Sequence, residues 1–183
     1  MKLPIKFRSL NLEMIGSGSQ GIVYKIDDNR CIKIYKKKKY FKRELKCLQR
    51  GQQSPFFPEI FEWGKYYIIR EYIKGTPLNQ HLKLNPMTLA LSKKIIKLLR
   101  TFKNLGFRSI DMHPRHIFIT HNLEIKIIDP TNMMLHHRTF PRKLFSELEK
   151  LGQKKIFLQF VKTFDPEIYH HWKKYINDFT AKS

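Results

Sequence analysis

Through residues 1–72 the apolar positions come in short runs broken by glycines and polar turns, which is the spacing of strands. The pattern predicts strands at 12–15, 22–26, 30–35 and 65–72, rich in β-branched and aromatic side chains. One helix interrupts them. Over 40–49, Phe41, Leu45 and Leu48 recur at steps of four and three, and Glu44 falls on the same face. A carboxylate turned inward needs a cationic partner.

The second half changes period. Leu91, Ile95, Leu98, Phe102 and Leu105 alternate steps of four and three between Pro86 and Gly106, a helix with both start and stop signals. Three further stripes follow: Leu144, Leu148 and Leu151; Ile156, Phe160 and Phe164; and Ile168, Trp172, Tyr175 and Phe179. Their aromatics are read as core. Strands first and helices afterwards predict an α+β protein with segregated sheet and helices, and a cleft between two lobes as its ligand site. At 183 residues a single domain is expected over 1–183, with an N-lobe at 1–73 and a helical C-lobe at 74–183.

Composition adds one extreme value. Thirty-six Lys and Arg stand against 15 Asp and Glu, a net charge of +21, which implies affinity for phosphates, an acidic protein or nucleic acid. Residues 1–50 alone carry 14 basic residues and four acids. The run at 36–39 is read as a solvated turn, with docking of an anionic partner as the alternative. No stretch reaches the 18 or so apolar residues of a membrane span, and 1–10 has neither an apolar run nor a cleavage site, so a soluble cytoplasmic protein is expected. Cys31 and Cys47 lack CxxC spacing and are read as quiet core thiols.

Four features carry chemistry. Gly16-Ser17-Gly18-Ser19-Gln20-Gly21-Ile22-Val23 is a GxGxxGxV run between two predicted strands, where residues without Cβ let backbone N–H groups approach phosphates. Lys33 lies on the next strand and supplies the cation that Glu44 lacks. Asp111 follows the long helix, and Asp129 ends the apolar run from Ile125. A hairpin between these two acids would bring both carboxylates to one end, beside the cleft.

In this order the parts resemble the protein kinase superfamily over residues 15–131, in the manner of small atypical bacterial and archaeal-type serine/threonine kinases. The resemblance implies an ATP-dependent phosphotransferase using Mg²⁺ or Mn²⁺, with a protein acceptor, acidic by the charge balance. It implies nucleotide binding by Gly16, Ser17, Gly18, Ser19, Gln20, Gly21, Val23 and Lys33, and by the backbone of a hinge at Glu71, Tyr72 and Ile73. Lys33 paired with Glu44 and Asp111 would serve catalysis, and Asp129 and His116 the metal.

The chain also departs from the family. Ser109-Ile110-Asp111 lacks the arginine that answers activation-loop phosphorylation, so that regulation is not expected. Asp111-Met112-His113-Pro114 looks more like aminoglycoside and other small-molecule phosphotransferases, which keeps that acceptor class open. His116 replaces the family's metal-binding Asn, and imidazole is a poor ligand for hard Mg²⁺. A pseudokinase or basic binding module for nucleic acid or an acidic protein is the third reading. Asp129-Pro130-Thr131 stands where DFG is expected, predicting a fixed segment instead of a switch. The 54 residues after Asp129 contain no APE signature, so the C-lobe is expected to be truncated.

Overall fold

The computed structural model describes residues 3–7 and 9–180; the side chains of Lys6 and of residues beyond Ile176 lie outside that description, Phe179 of the last predicted stripe among them. The first part is a five-stranded antiparallel sheet in the order β1-β2-β3-β5-β4, built from β1 (Glu13–Ser17), β2 (Gly21–Lys25), β3 (Arg30–Tyr35), β4 (Ile60–Gly64) and β5 (Tyr67–Glu71). The helix α1 (Lys38–Gly51) runs between β3 and β4.

β3 shows why its sequence reads as almost continuously apolar. Ile32 and Ile34 pack with Phe7 and Ile69 on one face of the sheet, while Tyr35 on the other face joins the main core with Cys47 and Leu48 of α1. Strict alternation along the strand therefore places Lys33 on the α1 side, opposite Ile68 of β5, and Cys31 opposite Arg70. On α1 the buried residues are Glu44, Cys47, Leu48 and Gly51, so the inward face predicted for Glu44 holds.

The helical part begins with a small sheet. β6 (Gly75–Pro77) pairs with β7 (Ile117–Thr120), which pairs in turn with β8 (Ile125–Ile127). The helices are α2 (Leu78–Leu84), α3 (Leu89–Asn104), α4 (Arg142–Lys150), α5 (Lys154–Phe164) and α6 (Pro166–Thr180). α3 starts where the Thr88 hydroxyl accepts from the Leu91 N–H and ends at Gly106, whose φ of 68° is a conformation that glycine reaches without strain. Phe140, Phe145, Phe157 and Trp172 form an aromatic centre joining α4, α5 and α6, with ring centroids 4.6–5.9 Å apart. Among the described residues no helix is long and apolar enough to cross a membrane.

Several expectations need correction. β4 was not expected, because its large apolar residues face outward: Phe61 is 44% and Trp63 51% exposed on an edge strand. α2 was likewise not expected, and the segment read as a hinge continues into β6. On α5 the predicted stripe is out of phase: Ile156 is exposed, and the fully buried residues are Phe157 and Val161. Phe160 and Phe164 sit on the flank.

Candidate active site

Between the sheet and the segments following α3 lies a cavity of about 910 Å³. Its roof is the β1–β2 turn. The Gly18 N–H donates to the Gly21 carbonyl at 2.9 Å, closing the turn, and the Lys36 ammonium donates to the Gly18 carbonyl at 2.8 Å. Lys36 thus braces the loop, a contact that reading 36–39 as a solvated turn did not foresee. The glycines have different causes. A Cβ at Gly21 would lie 2.2 Å from the Ile34 carbonyl oxygen, so this glycine is required by strand packing. A Cβ at Gly18 would meet nothing within 4 Å, so no packing contact requires this glycine.

Lys33 is the centre of the charge arrangement. Its ammonium lies 2.5 Å from Glu44 Oε2 and 2.8 Å from Asp129 Oδ1, and both Lys33 and Glu44 are buried. The Thr131 hydroxyl lies 2.8 Å from Asp129 Oδ1, 3.1 Å from Glu44 Oε2 and 2.9 Å from Gln20 Oε1. With one proton it donates to one of these at a time, and the contact with Gln20 ties the loop to the segment beneath it. Burial tends to raise the Asp129 carboxyl, but the Lys33 ammonium and its hydrogen bonds with Lys33 and Thr131 prevail and hold it well below the usual carboxylate range. Burial raises the Glu44 carboxyl, opposed by Lys33, and its Oε1 has no hydrogen-bond partner. Asp129 also has φ +56°, a left-handed conformation uncommon outside glycine, which ends β8 sharply and turns the carboxylate toward Lys33.

Asp111 is 6% exposed. Its Oδ1 accepts from the backbone N–H of Lys143 at 2.8 Å, and its Oδ2 lies 3.4 Å from Arg138 Nη1. The Ile117–Thr120 and Ile125–Ile127 hairpin joins the segments bearing the two acids, and both aspartates line the cavity.

His116 also lines the cavity, but its Nε2 accepts a hydrogen bond from Arg115 Nε at 3.1 Å. That nitrogen's lone pair is therefore occupied, and the ring is neutral: burial and neighbouring cations depress its pKa to about 4. The folded chain thus refuses a proton that the unfolded chain accepts near pH 6.5. Stability is full above about pH 6.5 and is lost as pH falls toward about 4, by on the order of 2 kcal/mol. In His116→Asn this loss is expected to be smaller, measured as the slope of melting temperature against pH across that window. Equal slopes would show that His116 titrates normally.

The proposed hinge residues lie apart from these groups. The Glu71 and Tyr72 N–H groups donate to the Glu59 and Asn29 carbonyls, and the Glu71 carboxylate pairs with Lys126 at 2.7 Å. Among the described residues Glu71, Tyr72 and Ile73 do not line the cavity, whereas Gly16, Ser17, Gly18, Ser19, Gln20, Gly21 and Val23 all do. Arg70, unnoticed in the sequence, is 5% exposed; its Nη1 donates to the Glu71 carbonyl at 3.1 Å and its Nε has no partner. Strand alternation from Ile68 was the signal that placed it on the Lys33 face. Arg138, Lys143 and Thr131 were also missed, because their roles depend on contacts between distant segments.

No group of three or more His, Cys, Asp or Glu side chains arranged for a metal ion occurs among the described residues. The donor set nevertheless fits magnesium held in the phosphate-dependent manner, in which one or two carboxylates and the ligand's phosphates share the ion. Asp129 is the carboxylate in place for this.

No family model matches the chain. It is 25% identical over 134 residues to "Putative serine/threonine-protein kinase YrzF" of Bacillus subtilis, an alignment covering 68% of this chain and 61% of that protein. The chain thus spans less than two thirds of that relative's length. The kinase domain of PknI from Mycobacterium tuberculosis superposes with a TM-score of 0.49 at 15% identity, over 64% of this chain and 56% of that one. The chain thus joins an antiparallel sheet and a helical second part to a distant similarity with a putative serine/threonine-protein kinase.

Proposed function

We propose that the chain acts as one domain, an ATP- and magnesium-dependent phosphotransferase that moves the γ-phosphate to a protein serine or threonine hydroxyl. The observation carrying this is Lys33 held by Glu44 and Asp129 together beneath an open glycine turn. In this reading the N–H groups around Gly18 and the Lys33 ammonium bind the phosphates, and Glu44 fixes the lysine in its rotamer. Asp129 would hold the metal ion, which would supply positive charge against that of the phosphates. Asp111, oriented by the Lys143 N–H, positions the acceptor hydroxyl and takes its proton.

A second reading, nucleotide binding without transfer, is favoured by Arg115 occupying the His116 nitrogen. Incubation with γ-labelled ATP, magnesium and a mixed protein substrate separates the two. Label appearing on serine or threonine is expected; nucleotide retained with its label intact favours the second reading. Label released only to small hydroxylated compounds would instead indicate the small-molecule acceptor class.

A further inference from the structure

The wall of the cavity around Asp111 carries more positive charge than phosphotransfer requires. Of the carboxylates lining the cavity, Asp129 is engaged by Lys33, and Asp111 by Arg138 and the Lys143 backbone. Arg115 and Lys143 line the same space, and among the described residues neither forms an ion pair with a carboxylate. Arg115 is spent on a neutral imidazole.

A second cavity of about 430 Å³ adjoins the first, sharing His136 and Arg138 with it and adding Arg142. Its lining contains no carboxylate. Basic groups therefore run from beside Asp111, through Arg138, to Arg142 at the start of α4.

We propose that this basic groove binds an acidic peptide segment, so that the acceptor hydroxyl presented to Asp111 is flanked by carboxylates. The inference rests on the phosphotransfer reading for its acceptor role, though not for the binding itself. Two adjacent cavities fit an extended chain better than a compact metabolite, which would need only one. Single-stranded nucleic acid would use exposed ring faces for base stacking beside its phosphate contacts. The benzenoid rings of the second cavity are Phe140, which is buried, and Tyr175, and these stack on each other with centroids 5.1 Å apart. The groove thus offers charge with its benzenoid rings turned on each other, and its remaining rings are the imidazoles of His136 and His137. Arg138 and Lys143 would each meet one carboxylate of the peptide, and Arg138 lies only 3.4 Å from Asp111, close enough to register the acidic neighbour against the hydroxyl.

The test is fluorescence anisotropy, without nucleotide, on a labelled peptide with a central serine flanked by glutamates, and on versions flanked by alanines or lysines. The glutamate peptide is expected to bind about tenfold more tightly than the alanine one, as two partly exposed charge contacts would give, with the advantage shrinking in salt. Combining Arg138→Glu with Lys143→Glu should reverse the preference toward the lysine peptide. The backbone hydrogen bonds joining Arg138 to Arg108 and Ile110 do not depend on its side chain, and Arg115→Glu provides a second variant with the same expected direction. Equal binding of glutamate and alanine peptides would overturn the proposal. So would displacement by single-stranded RNA at lower concentrations than the peptide, or by free glutamate at equal concentration. The melting shift with Mg-ATP, recorded on the same wild-type protein, keeps the two ideas apart. A shift without peptide preference removes the groove alone, and peptide preference without a shift removes phosphotransfer and leaves the groove.

Discussion

Replacing Asp111 by asparagine is expected to slow phosphate transfer by about a hundredfold or more, within the range that a positioned general base contributes. Asn keeps an oxygen that can accept from the Lys143 N–H, so the local fold should survive and the melting temperature should change little. What it loses is a group able to take the hydroxyl proton, and the negative charge facing Arg138. Affinity for Mg-ATP should stay close to wild type, because Asp111 stands apart from the Lys33, Glu44 and Asp129 cluster that would hold the phosphates and metal. Single-turnover transfer measured beside nucleotide binding checks both halves. A variant that transfers within a few-fold of wild type would remove Asp111 from the chemistry.

Lys33→Met should have the other large effect, and on two properties at once. The methionine can fill much of the same space, but Glu44 is left buried without its ion-pair partner, with only the more distant Arg70 guanidinium acting on it, and Asp129 loses its nearest positive charge. Breaking a buried pair by removing one partner costs about 3–5 kcal/mol, reduced here as Glu44 takes up a proton. Removing both members together, as Lys33→Met with Glu44→Gln, should recover part of that stability. It should not recover nucleotide binding, which needs the ammonium itself. Denaturant melts and Mg-ATP titrations of the single and double variants check this. A double variant that binds ATP as tightly as wild type would show that Lys33 serves only the fold.

The Lys33 and Glu44 pairing was legible in the sequence because two local periodicities pointed at each other. The helical period turned Glu44 inward, and a lysine set among β-branched residues of a strand had to take one face of the sheet. Asp111 and Asp129 were legible for a similar reason, since the short hairpin between them constrains where both its ends lie. Other features depended on contacts that no local pattern encodes. β4 turns Phe61 and Trp63 to the outside of an edge strand, so its apolar residues gave no sign of a buried face. The phase of α5 is chosen by packing against Phe145, which selects Phe157 over Ile156 although both fit a helical stripe. The state of His116 depends on which neighbour reaches it first; the adjacent Arg115 does, a matter of side-chain rotamer invisible to motif spacing. The hinge resemblance at Glu71 to Ile73 concerned residue types, whereas the backbone N–H groups of Glu71 and Tyr72 are already bonded within the chain.

Binding of Mg-ATP through Lys33 and Asp129, in the cavity under the glycine turn, is the step on which the proposed phosphotransfer depends. It is tested most directly by the melting temperature of the wild-type chain as Mg-ATP is raised, with Lys33→Met alongside. A ligand that binds only the folded state at about a hundred times its Kd adds about 2.7 kcal/mol, or about 5 °C or more for a chain of this size. That rise is expected in the wild type, growing with nucleotide concentration, and almost none in Lys33→Met. A wild-type melting temperature unmoved by saturating Mg-ATP, or an equal rise in both proteins, would contradict it.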